Sequence, residues 1–318
     1  MRTLGLVAVV LSVGCASQTD TMFTHQGQVM AQSNGVVLSD DGNEGMAGMF
    51  GTTCIFNARN GQMGGDFDIA GPDEVVEDTN DSGIVLTRSS TGIHEISPYG
   101  GEFREAVEPN NWQGSIGTDQ AFTTTELNGV IGARWLGDTV VALVDDDGQC
   151  AVHYLGDAPA VVALSKDMCD GFTALEAGVS DTTIFVSTQN TTVSVRDGVV
   201  SPWGAGADSL SWDELTQVMY VVSPDGHALQ AFSALGELSW QAESSGVSSI
   251  THMGPHGFVA SMEQDGVGRG LLVVRDGRSG AVIEATSTPS AGQQMTVSKD
   301  GSTLAIAVQD YIHLFSIH

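Results

Sequence analysis

Short apolar runs alternate along most of this chain with turns built on Gly, Asp and Pro. That pattern predicts many short strands joined by tight hairpins. The clearest unit runs from Val218 to Trp240. An apolar strand meets the turn Pro224-Asp225-Gly226, and a second strand alternates Ala228, Gln230 and Phe232. A glycine turn follows, then an outer strand ending at Trp240. A similar unit, residues 296–315, ends the chain. Weaker copies start near Val36, Ser82, Leu136, Asp181 and His256, giving about seven repeats of roughly 40 residues. No stretch sustains a 3.6-residue apolar period, so helices should be few.

The Asp-Gly turns and closing Trp of 218–240 resemble the repeat of pyrroloquinoline-quinone-type propellers, and 296–315 resembles a WD-type blade. The resemblance implies an all-β fold, a β-propeller of about seven four-stranded blades. The last unit offers only three strands, near 294–298, 303–308 and 311–317. The segment 25–32 has no other partner and is expected to supply the missing outer strand, closing the ring and removing an exposed edge. Two regions break the rhythm. Residues 65–78 read as an acidic loop or poorly formed outer strand, and residues 102–129 as a long polar insertion containing Trp112 and Phe122.

Ahead of the repeats, Arg2 leads into an apolar run at 4–13, about ten residues and too short to span a bilayer. It reads as an export signal. Residues 11–15, Leu-Ser-Val-Gly-Cys, resemble the lipobox of bacterial lipoproteins, with Ser12 where that family prefers Leu. The resemblance implies a signal peptide at 1–14 and a diacylglyceryl group on Cys15. A tether at 15–24 and the propeller domain at 25–318 complete the division. Ala16 and Ser17 after the cysteine favour the outer membrane over the inner. Ordinary secretion, with cleavage around Gly14-Cys15-Ala16, is the alternative.

Charge narrows the partners. Of 318 residues, 39 are acidic and 11 basic, for a net charge of −28, and only Lys166 and Lys299 are lysines. This excludes nucleic acid as a partner and sets the domain against anionic lipid. The acidity serves solubility of a monomer or adaptation to a saline habitat, where repulsion is screened. Among four cysteines, Cys150 and Cys169 are candidates for a disulfide in an oxidising compartment. Cys54 alternates with Phe50 and Phe56 and is expected to be a buried, inert thiol.

Catalytic signatures are missing. There is no Gly-x-Ser-x-Gly, His-Glu-x-x-His or phosphate-binding glycine loop in the sequence. His252 and His256 share a turn, but Gly254 and Pro255 deny it a helix and no third ligand is evident. Asp78, Asn80 and Ser82 match the opening of a calcium loop, with Ser89 where a glutamate belongs. Asp145-Asp-Asp-Gly148 is a second acidic turn. Vicinal cysteines, which mark the quinone-bearing relatives, are absent, so no cofactor is expected beyond calcium. The first expectation is a lipid-anchored interaction or scaffold module with an envelope protein as partner. The alternatives are a propeller enzyme, lactonase- or lyase-like with an ion in its central channel, and a small-molecule or glycan sensor.

Overall fold

A computed structural model describes residues 22–30, 35–49, 52–67, 75–80, 84–89, 92–96, 122–156, 158–178, 182–265, 267, 269–288, 292, 294–308 and 311–318. The strands form seven four-stranded antiparallel sheets. Blades 1 to 6 span residues 36–67, 75–126, 130–164, 172–205, 209–243 and 247–288. Blade 7 comprises 294–317 together with Phe23–Met30. Within blades 1 to 6 the chain runs from the innermost strand outward. The innermost strands of successive blades pack side by side around a closed ring. The protein is a seven-bladed β-propeller.

Antiparallel pairing gives the ring two distinct ends. At the lower end lie the turns from innermost to second strand and from third to outer strand. At the upper end lie the turns from second to third strand and the links between blades.

Closure follows the expected route. Phe23–Met30 is the outer strand of blade 7, pairing antiparallel with Tyr311–Ile317 so that Phe23 faces Ile317 and Met30 faces Tyr311. It begins two residues before the expected His25, because Phe23 packs edge-on against Phe315 at 6.3 Å. Phe23 and Thr24, assigned above to the tether, therefore belong to the sheet. The chain enters this strand at Met22, at the lower end, where the Met22 carbonyl accepts from His318 N (3.0 Å).

The core lies between blades. Phe185 of blade 4 stacks on Trp212 of blade 5 at 5.6 Å, within a cluster that adds Leu210, Met219 and Val221. Outer strands are latched by tryptophan. Trp203 Nε1 donates to the Ala234 carbonyl (3.3 Å) and Trp240 Nε1 to the Gly277 carbonyl (2.8 Å), each reaching the lower turn of the next blade. Gly280 in that turn has φ 71°, and a Cβ there would sit 2.7 Å from Trp240 Cε3. Only glycine suits both demands.

One helical segment, Lys166–Asp170, links blades 3 and 4. It carries Cys169, bonded to Cys150 with the Cα atoms 5.7 Å apart. The irregular segment 65–78 is corrected by the structure: Met63–Phe67 is the outer strand of blade 1, and Val75–Thr79 is the innermost strand of blade 2. Its acids mislead because an innermost strand turns polar side chains to the channel. The long insertion read at 102–129 is corrected in its second part: Phe122–Glu126 is the outer strand of blade 2 and the next residues lead into blade 3, while residues 102–121 lie outside the described residues.

Candidate functional site: the central channel

Innermost strands from all seven blades wall a cavity of about 860 Å³ on the ring axis. In blades 2, 3, 4 and 6 the innermost strand carries a register shift against the second strand, at Val76/Asp78, Val130/Gly132, Phe172/Ala174 and Val247/Ser249. A bulge of this kind bends the strand and re-aims the residues after it. Asp78, Arg134 and Glu176 stand at or just after such bulges in blades 2, 3 and 4.

Glu77 and Asp78 come from blade 2, Arg134 from blade 3 and Glu176 from blade 4. Arg134 Nη1 donates to Glu77 Oε2 (2.9 Å), to the Glu77 carbonyl (3.3 Å) and to the Ala133 carbonyl (2.9 Å). Arg88 closes on the other oxygen of Glu77. Asp78 reaches across to blade 3, where its Oδ2 accepts from Trp135 N (2.8 Å), while Oδ1 accepts from Thr79 N (2.8 Å). Two blades are thus tied by an ion pair and a charge-assisted bond to backbone.

Burial resists the charge on Arg134, but the carboxylates of Glu77, Glu176 and Asp78 more than offset this and raise its pKa. Burial also raises Asp78, against the pull of Arg134 and two backbone N–H groups. Glu176 is pushed up to about 7, first by burial and then by the Asp78 and Glu214 charges, with Arg134 opposing. It holds a proton part of the time near neutral pH. Its Oε1 accepts only a long bond from Ala177 N (3.3 Å).

Across the channel, Ser211 of blade 5 meets His252 of blade 6. Ser211 Oγ accepts from His252 N (3.0 Å) and lies 3.2 Å from His252 Nδ1. Burial lowers the His252 pKa, with Asp213 and Glu214 acting in the other direction. A serine beside an imidazole suggests nucleophilic chemistry, but the geometry is that of a latch. Asp213 accepts from Leu215 N (2.9 Å), Thr216 N (3.2 Å) and Thr216 Oγ1 (2.7 Å), so it fixes its own turn. A triad needs that carboxylate on the far imidazole nitrogen.

Two of the calcium candidates, Asp78 and Asn80, bind backbone through their side chains. Both oxygens of Asp78 face backbone N–H groups as described, and Asn80 Oδ1 accepts from Ile84 N (2.9 Å) to hold a hairpin. Ser82 and Cys15 lie outside the described residues. Among the described residues no three His, Cys, Asp or Glu groups gather around a metal-sized point. Asp145–Gly148 is an exposed upper hairpin, with Asp147 at φ 47° and Gly148 at φ 81°. His256 turns from His252, placing Nε2 3.1 Å from the Gly301 carbonyl. Cys54 is fully buried.

Arg134, Glu77 and Glu176 belong to no motif in the sequence. Arg134 and Glu176 show there only as single charges inside otherwise apolar strands, Gly-Ala-Arg-Trp-Leu and Ala-Leu-Glu-Ala-Gly, and Glu77 only as one of the paired acids of Val-Val-Glu-Asp-Thr. Nothing in their spacing shows that three blades bring them together.

No family model matches the chain, and no curated protein matches it. Solved structures do resemble it. The β-propeller domain of Cps50 (Swd1) from Myceliophteria thermophila matches with a TM-score of 0.69 and 12% identity, covering 93% of this chain and 100% of that one. In all, 1327 chains match, so the fold is widely shared. At such identity the likeness shows the seven-bladed fold alone.

Proposed function

We propose that this protein is a lipid-anchored, extracytoplasmic β-propeller acting as a non-enzymatic interaction module, with an envelope protein as its partner. The observation that carries this reading is the use of the channel's polar groups. Arg134, Glu77, Asp78, Ser211 and His252 all tie one blade to the next. They make the ring a rigid platform, and rigid platforms present partners with surface and loops. The signal-like residues 1–14 and Cys15 support the anchor, and the acidity excludes nucleic acid.

The test is a mild-detergent pull-down of the tagged full chain from its own membranes, read by mass spectrometry. A stoichiometric envelope protein is the expected result; a solitary protein overturns the reading.

One observation favours a second reading, a channel that takes a small molecule, as a sensor or a lactonase- or lyase-like enzyme. Glu176, which titrates near 7, faces a cavity large enough for such a ligand. A rise in melting temperature with calcium or a glycan, abolished by Glu176→Gln, would support it.

A further inference from the structure

Large hydrophobic side chains exposed on this propeller are not scattered. Among the described residues, all but Val267 and Tyr311 lie at the lower end of the ring. They recur at one structural position. Met63, Val199, Leu238 and Val282 are each the first residue of an outer strand, in blades 1, 4, 5 and 6. Val199, Leu238 and Val282 are 61%, 53% and 55% exposed. Leu235 and Leu215, in the lower turns of blade 5, are 85% and 72% exposed. Blades 4, 5 and 6 are consecutive, so these side chains form an apolar arc along one edge of one face.

Charge follows the same division. Six basic side chains are exposed among the described residues. Arg59, Arg196, Arg278 and Lys299 stand at the lower end, and Lys166 and Arg269 at the upper end.

The occupant of this face is indicated by where the chain enters the fold. Met22 lies at the lower end, on blade 7, next to blade 6, which carries Val282. Six residues lie between Cys15 and Met22, and the seven Cα steps that join them span at most about 25 Å. A lipid on Cys15 would therefore hold the lower end nearest the bilayer. Aliphatic side chains with basic neighbours suit the boundary between headgroups and acyl chains.

We propose that the lower face of the propeller docks on the bilayer surface. The apolar arc of blades 4 to 6 enters the headgroup layer, and the upper face and channel mouth turn outward to partners. This rests on the anchored reading given above. The net charge of −28 makes the preferred surface a zwitterionic one, since anionic lipid repels the domain as a whole.

The experiment uses the lipidated full chain in phosphatidylethanolamine–phosphatidylcholine vesicles. An environment-sensitive dye is placed through Leu238→Cys at the lower end or Val267→Cys at the upper. Both positions are exposed, so either variant should fold; unchanged melting temperatures check this. Mass spectrometry of the mature N-terminus reports separately whether Cys15 carries lipid.

The expected result is a blue shift at 238, with quenching by headgroup-labelled lipid, and neither at 267. The changes Leu235→Ser and Val282→Ser should diminish the shift at 238. Equal solvent exposure of both dyes on a lipidated chain overturns docking while leaving the anchor intact. Protection of 238 in native membranes but not in vesicles also overturns it, in favour of a protein on this face. An unlipidated Cys15 overturns the anchored reading and docking together.

Discussion

At the scale of single residues the channel wall is held by charges that burial resists. Glu176 illustrates the sign of the effect. Its folded pKa, about 7, stands above the 4.5 of an ordinary glutamate. Between those values the folded state binds more protons than the unfolded one, so stability falls as pH rises through that window. Below about pH 4.5 the penalty is absent, and above 7 it is complete. Glu176→Gln removes it. The variant should match the parent in denaturant unfolding near pH 4.5 and exceed it at pH 8, by on the order of 1–3 kcal/mol. A constant difference across that range would show that Glu176 ionises normally. Glu44, also pushed up to about 7 by burial and by Asp41, adds a slope of the same sign that persists in the variant.

Individual strands show what could be read from the sequence and what could not. The second strands are enclosed between their neighbours, and Thr183–Thr188 and Thr303–Val308 are buried at every position. Such strands read as unbroken apolar runs, which is why most repeat starts fell on them. Blades 1 and 7 differ. The second strand of blade 1, Glu44-Gly-Met-Ala-Gly-Met49, is diluted by glycine, so the repeat starts on its innermost strand, Val36–Leu38; the unit of blade 7 starts at Thr296, in the innermost strand Gln294–Val297. Innermost strands were poorly legible because their polar channel side chains imitate loops, as at 75–79. The latches were hidden because they join residues that only ring closure brings together. Trp240 gives a direct measure of one latch. Trp240→Phe keeps the ring and loses the bond to Gly277, and should cost about 1 kcal/mol, lowering Tm by roughly 2 °C. An unchanged Tm would mean the bond is replaced by water without loss. The Cys150–Cys169 bridge closes a loop of 19 residues. Serine at both positions should cost about 3 kcal/mol in the unfolding free energy, and a variant of parental stability would contradict this.

Across the whole molecule the net charge of −28 repels itself at low ionic strength. Unfolding temperature should climb with added sodium chloride as that repulsion is screened; a flat response would assign the acidity to solubility alone. Removing residues 1–32 should abolish cooperative unfolding, because the outer strand of blade 7 goes with them, and a stable truncated protein would contradict closure by that strand. This closure has a further consequence. The first strand of the fold finds its partner in the last, Phe23 against Ile317, so it must wait through the making of every other blade. A chain stopped a few dozen residues short still builds several good blades, but it leaves two bare edges, at its beginning and at its last complete blade. Proteases and chaperones recognise such edges. The ring therefore acts as a proofreader of its own synthesis, since only a chain made to the end can hide its beginning.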